Sequence, residues 1–305
     1  MAIISLPPCP TAGGGVNLWL PRAARILSRT VTDPAEVARI IAAEVQGCGR
    51  PVRASEINRA VKLIFDTPVE SKAAYTPRQR PKLPRLAIRE ELRAKAIREN
   101  VTIYDLHEQS PIIAEQPDRP EYYLDAIWKD DDLLCIAQDG PATAQTKTLA
   151  EWRENLHKCD LIVPSAMTSR TGTNKSGQPT ARALSNTGRR QHLVIEFDNG
   201  TMTEQASCLW HLKKYAPLVM VLHSGSKSLH GWYNVRGLDE EHIRQIHAYA
   251  CTLGADPATF LSCQLVRLPA GIRGNGRKQN VAYFDPFCIS YSPSPQHDQS
   301  ETAYR

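Results

Sequence analysis

The feature that most constrains this chain is an alternation. From residue 132 to residue 288, short β-prone apolar runs take turns with segments of helical period. Residues 132–136, 161–164, 192–197, 218–222, 230–235, 264–268 and 280–284 read as strands, and 204–215 and 239–253 read as helices. The part before this alternation has no strand signal. The whole is therefore an α+β chain with a small, mainly helical N-terminal region over 1–125, a mixed domain over 126–290, and a polar tail over 291–305 that is expected to be disordered.

Within the first region, residues 1–30 read as an irregular arm. Thr32-Asp33-Pro34-Ala35-Glu36 is a helix start, with a capping oxygen, proline in the first turn and an acid near the positive helix end. A second helix starts at Ser55-Glu56, and the pair reads as a helical hairpin, either a packing module or a helix-turn-helix that reads DNA. Residues 66–86, with several Pro plus Arg78, Arg80 and Lys82, form a basic linker. Residues 88–99 and 104–109 read as further helices.

No apolar run approaches the ~20 residues of a membrane span, and the start lacks the pattern of a signal peptide. The eight cysteines form no CxxC pair, which argues against a finger-type zinc site and for buried, reduced thiols in a cytoplasmic protein. The formal charge of +5 is compatible with a polyanionic ligand but does not require one.

Three stretches carry candidate chemistry. In Leu193-Val194-Ile195-Glu196-Phe197-Asp198, strand alternation sends Leu193, Ile195 and Phe197 into a core and Val194, Glu196 and Asp198 to the other face. Two carboxylates then share one face about 7 Å apart. Either they hold a hard divalent cation, or Asp198-Asn199-Gly200 is a turn and Glu196 a solvated residue. In Ser224-Gly225-Ser226-Lys227-Ser228-Leu229-His230, a tight turn leads into a strand on which Ser228, His230 and Trp232 share a face. Backbone amides, Ser226, Lys227, Ser228 and the His230 ring are groups that bind phosphate. The spacing is not that of a P-loop, which leads into a helix. In the third stretch, Arg267 lies in an apolar strand and needs a partner, either a ligand phosphate or a structural acid. The loop after it carries Arg273, Arg277 and Lys278. A polar, basic loop before the acidic strand, with Arg182, Arg189 and Arg190, is either a nucleic-acid contact or simply exposed.

The order of these pieces resembles the archaeo-eukaryotic primase superfamily, which includes the primase small subunit and primase-polymerases, and most of all its members on bacterial mobile elements. The likeness covers about residues 130–288. It rests on the acid pair Glu196 and Asp198, on Ser228-x-His230 within Leu222-His223-Ser224-Gly225-Ser226-Lys227-Ser228-Leu229-His230-Gly231-Trp232, and on Arg267-x-Pro269-x-Gly271. The resemblance implies an RRM-like antiparallel sheet with helices, and nucleotidyl transfer by a DNA primase or polymerase. Glu196, Asp198 and His230 would be catalytic, and Mg²⁺ or Mn²⁺ would sit on Glu196 and Asp198. Ser226, Lys227, Ser228, His230 and Arg267 would hold a nucleoside triphosphate. Arg182, Arg189, Arg190, Arg273, Arg277 and Lys278 would contact a single-stranded DNA or RNA template, and a separate helicase is a further expected partner. One departure is the lack of an acid within 264–271. Asp256 is the nearest candidate for a third metal ligand, and Asp285 is another. The departure leaves room for a replication protein that binds without catalysis, and the same acids would also serve a metal-dependent nuclease.

Overall fold

The structure is a computed structural model that describes residues 6, 8–11, 16–28, 30–65, 86–112 and 118–290. Nearly all of the expected linker over 66–86 and the whole of the expected tail over 291–305 lie outside the described residues.

The first three helices, α1 (Val16–Leu27), α2 (Pro34–Glu44) and α3 (Ala54–Phe65), pack on one another. α2 begins as the sequence predicts, with the Asp33 carboxylate accepting from the Ala35 N–H and Pro34 in the first turn. α1 corrects the reading of residues 1–30 as irregular. Despite an internal Pro21, Val16, Trp19, Leu20, Ala23, Ala24 and Leu27 form a buried stripe at helical spacing. The expected helical pair is thus a three-helix unit. α4 (Glu90–Ile97) and α5 (Ile103–Glu108) follow, the second opened by a capping box between Thr102 and Asp105. α6 (Pro120–Ile127) was not anticipated, and it runs across residue 125, where the helical region was expected to end.

Beyond α6 the elements are β1 (Leu133–Ala137), β2 (Gln145–Thr148), α7 (Leu149–Trp152), β3 (Leu161–Ile162), β4 (Gly172–Thr173), β5 (Pro179–Thr180), β6 (His192–Phe197), α8 (Met202–Leu212), β7 (Leu218–His223), β8 (Leu229–Asn234), α9 (Glu240–Thr252), β9 (Val266–Arg267) and β10 (Val281–Phe284). They build two four-stranded antiparallel sheets, ordered β2-β1-β3-β9 and β10-β7-β8-β6, with β4 and β5 as a small separate hairpin. The expected strand over 264–268 shrinks to β9 and joins the first sheet, not the sheet that carries the acids.

β6 and β7 both run antiparallel to β8, which lies between them, so β6-α8-β7 is a βαβ unit split by a third strand. An RRM-like sheet would repeat that device and set its last strand beside β6. Here β10 lies beside β7 instead. The outer edge of β6 is met by the segment after α9, where the Asp256 N–H donates to the Glu196 carbonyl at 2.9 Å.

The second sheet is covered on both faces. Leu193, Ile195, Phe197, Leu229 and Tyr233 share a core with Leu209 of α8 and Ile243 of α9. Val194, Met220, Leu222 and Trp232 share another with the N-terminal helices and the first sheet. Val194, expected beside the acids on a polar face, is therefore buried. All eight thiols are unpaired and six are buried, as expected for reduced cysteines. Among the described residues no helix is long and apolar enough to cross a membrane.

Candidate functional site

Antiparallel pairing sets Glu196 of β6 directly opposite His230 of β8. The next pair on the same face, Val194 and Trp232, is buried, so Glu196 and His230 lie where the covered part of that face ends. His230 Nε2 is 3.4 Å from Glu196 Oε1 and 3.2 Å from Ser228 Oγ. Burial, reinforced by the charge of Arg267, holds the His230 pKa down at about 3, so the ring is neutral at pH 7. Its approach to Glu196 is therefore not an ion pair, and the hydrogen bond of its Nε2 is with the Ser228 hydroxyl. Its Nδ1 is buried and has no hydrogen-bond partner. This corrects the picture of His230 as a lining residue of an open phosphate site, since only 3% of its side chain is exposed.

Glu196 is more open, at 25%. Burial raises its pKa. The Ser228 hydroxyl and Arg267 oppose that rise, while the charges of Asp256 and Asp198 add to it. Asp198, on the same strand face, turns to Lys227, with Oδ2 3.1 Å from Nζ.

The turn into β8 is built tightly. The Ser224 N–H donates to the Ser228 carbonyl at 2.9 Å, and the two serine hydroxyls share a 2.9 Å hydrogen bond. Gly225 takes a left-handed φ of +76°. Gln205 of α8, almost fully buried, clamps the turn from inside. Its Nε2 donates to the Lys227 carbonyl at 3.0 Å, and its Oε1 accepts from the Leu229 N–H at 2.9 Å. Nothing in the sequence singled out Gln205 beyond a polar residue one turn after the Thr201 cap, on a face that is otherwise apolar. Ser226 and Lys227 are exposed at the tip, while Ser228 is buried. The 272–279 loop lies against the turn, with Arg273 Nη1 donating to the Ser224 carbonyl at 3.4 Å.

Arg267 comes from the other sheet. Its Nη1 donates to Asp160 Oδ2 at 3.0 Å, and Asp160 is buried, so the structural ion pair is made. Its charge still acts on both Glu196 and His230 from the first sheet. Arg267 and Arg273 together line a cavity of about 350 Å³. Asp256 meets Glu196 through its backbone. Its carboxylate accepts from the Ala258 N–H at 2.9 Å and caps the next turn. Asp285 likewise accepts from the Phe287 N–H at 3.0 Å.

The basic residues divide. Arg189 and Arg277 are exposed. Lys278 is exposed but paired with Asp118. Arg182 is half-buried and donates to the Cys263 carbonyl at 2.8 Å. Arg190 corrects the expectation of a template contact. It is 5% exposed, paired with Glu240 at 3.4 Å and stacked over Phe260 at 4.9 Å, so it ties the approach of β6 to α9.

Among the described residues no group of three or more His, Cys, Asp and Glu is arranged to hold a metal ion. Glu196 and Asp198 nevertheless fit a hard cation of the Mg²⁺ kind, which is bound by one or two carboxylates plus substrate phosphates and keeps several waters. Burial and neighbouring acids both disfavour the Glu196 carboxylate, and a divalent cation would offset both. Compared with known proteins, the chain matches no family model, no curated protein and no solved structure.

Proposed function

We propose that this protein is a metal-dependent nucleotidyltransferase that starts or extends a nucleic-acid strand on a single-stranded template, in the manner of a primase-polymerase. The observation that carries the reading is the convergence of Glu196 and Asp198 with the Ser224–Ser228 turn and with Arg267 and Arg273. Acids that suit a divalent cation stand beside the exposed Ser226 and Lys227 at the turn tip and beside arginines that suit phosphate, which is what transfer of a nucleotidyl group requires.

In the reaction, the 3′-oxygen of the growing strand attacks the α-phosphorus of a nucleoside triphosphate. The new O–P bond forms as the bond to the α,β-bridging oxygen breaks. Pyrophosphate leaves with that electron pair, and the hydroxyl proton passes to solvent. Bound Mg²⁺ or Mn²⁺ supplies charge stabilisation at the α-phosphate and lowers the pKa of the attacking hydroxyl. Glu196 and Asp198 would hold that cation. His230 stands buried and neutral behind Glu196 and is hydrogen-bonded to Ser228, so it is a positioning residue. Lys227 exchanges its bond to Asp198 for one to the substrate phosphates, with Arg267 and Arg273 on the other side. Arg189 and Arg277 are exposed and suit contacts to the template backbone.

The test is incorporation of labelled nucleotides on a single-stranded template, with and without primer, in Mg²⁺ and in Mn²⁺. Asp198→Ala should abolish incorporation. It should leave stability within about 1 kcal/mol, because it removes a partly exposed ion pair. Template binding without incorporation would assign a binding role instead, and shortened strands would assign a nuclease.

A further inference from the structure

The N-terminal unit holds a second kind of chemistry that nucleotidyl transfer does not use. Of the eight thiols, six are buried and two, Cys9 and Cys48, are partly open to solvent. Those two meet. Cys9 lies in the segment before α1, and Cys48 lies between α2 and α3. The Gly49 N–H donates to the Pro10 carbonyl at 3.4 Å, which sets the two backbones side by side. The two thiols share a hydrogen bond, and Cys48 Sγ also donates to the Arg50 carbonyl at 2.9 Å. The Arg50 guanidinium in turn donates to Asn17 of α1 and, at 2.6 Å, to Glu56 Oε2 of α3. Cys48 therefore sits where the three helices are tied together, and Cys9 rests on it, both packed against the same core.

Buried thiols are inert because no oxidant reaches them, whereas two neighbouring thiols that solvent reaches can exchange with a small disulfide. We infer that Cys9 and Cys48 are a site of reversible thiol–disulfide exchange, at which a small disulfide such as oxidised glutathione links the segment before α1 to the α2–α3 connection. In the first step the Cys48 thiolate attacks one sulfur of glutathione disulfide. A mixed disulfide forms, and one glutathione leaves as its thiolate. In the second step the Cys9 thiolate attacks the Cys48 sulfur, and the second glutathione leaves. The two protein thiols lose two electrons, glutathione disulfide is reduced to two glutathiones, and the cysteine protons pass to the leaving thiolates. Burial, and then the neighbouring Cys48, hold the Cys9 pKa up at about 11. Cys9 thus suits the second, intramolecular step, where proximity makes up for a small thiolate fraction. The link closes a loop around α1 and α2 and so restricts the unfolded chain.

The test is equilibration of the full chain in glutathione buffers from reducing to oxidising, followed by alkylation of the remaining thiols and mapping of tryptic peptides. Arg22, Arg25 and Arg39 lie between the two cysteines, so trypsin separates them unless they are linked. The expected result is one linked pair, Cys9 with Cys48, while the six buried thiols stay reduced. Urea denaturation should give the oxidised chain a higher midpoint than the reduced chain. Cys48→Ser, whose hydroxyl can keep the bond to the Arg50 carbonyl, should give one midpoint in both buffers. Free thiols in the most oxidising buffer, glutathione held singly on Cys9 or Cys48, a link from either to a buried cysteine, or equal midpoints for oxidised and reduced wild type would each overturn the inference. Neither readout uses nucleotide or turnover, so the outcome is independent of the nucleotidyl-transfer reading.

Discussion

Glu196 Oε1 and His230 Nε2 lie 3.4 Å apart across two paired strands, and the two residues differ sharply in exposure. Glu196 has a face that a cation or a ligand can reach. His230 has almost none, so its work is to fix Glu196 and Ser228.

That burial sets the first prediction. His230→Ala deletes a buried ring and leaves a cavity, so it should cost about 2–4 kcal/mol, in the range of large-to-small core changes. Urea denaturation measures the loss. A wild-type unfolding midpoint would show that the ring is not a packed part of the sheet end.

Arg267 and Asp160 set the second. Removing the arginine leaves a buried, unpaired carboxylate. Arg267→Ala should therefore cost about 3–5 kcal/mol, while an Asp160→Asn/Arg267→Gln pair, neutral and able to hydrogen-bond, should recover much of that. A double-mutant cycle reads the coupling. If the double variant is no more stable than Arg267→Ala, the pair is not what holds β3 to β9. Nucleotide affinity should fall in both variants, because both lose the guanidinium.

The second sheet was legible in the sequence because its signals are local. β6 coincides with the expected 192–197 strand, and β7 and β8 fall within a residue of theirs, since apolar runs bounded by turn residues define them. α8 and α9 overlap the helices expected over 204–215 and 239–253, and Thr201 and Asp239 cap them. What escaped is non-local. β2 is a polar edge strand, Gln145–Thr148, without an apolar alternation. β9 owes its place to pairing with β3, about a hundred residues earlier in the chain. The burial of His230 follows from what covers that face, the N-terminal helices and the first sheet, and strand alternation assigns a side chain to a face without saying what lies over it. Asp160 and Gln205 were missed for the same reason, since each acts on a partner far along the chain.

Acid sensitivity follows from two histidines away from the acids. His192 and His247 are buried, and burial first, then the charge of Arg236 on His192 and of Arg190 on His247, holds each pKa at about 3 against an ordinary 6.5. The folded pKa is depressed, so between those values the unfolded chain binds the extra protons. Stability therefore falls as pH drops below 6.5 and is flat with respect to these groups above it. Each histidine contributes a slope of about 1.4 kcal/mol per pH unit well inside the window. Urea denaturation between pH 4 and pH 7 checks this, with His247→Gln as the comparison. Glutamine can keep a hydrogen bond to Thr259, which His247 Nε2 meets at 3.2 Å. An unchanged slope in that variant would mean that His247 is protonated in the folded state.

The last prediction concerns how the turn and the 272–279 loop depend on each other. Gly225 has a φ of +76°, and a Cβ added there would come within 2.6 Å of the Lys278 carbonyl oxygen and 3.3 Å of Arg277 Cβ. The first of these is a backbone atom and cannot swing aside. Gly276, in the loop itself, has a similar φ of +79°, yet a Cβ there meets nothing within 4 Å. The two glycines separate conformational strain from contact. Gly276→Ala should cost only the left-handed penalty, about 1 kcal/mol. Gly225→Ala should cost that and more, about 2–3 kcal/mol in all, because the loop must also move. Displacing the loop carries Arg273 away from the Ser224 carbonyl, so nucleotide affinity should drop in Gly225→Ala and hold in Gly276→Ala. Denaturation and calorimetric titration of both variants give the comparison. Equal losses of stability with equal affinities would show that the loop does not rest on the turn, and that the phosphate-binding groups of the two segments are not held as one unit.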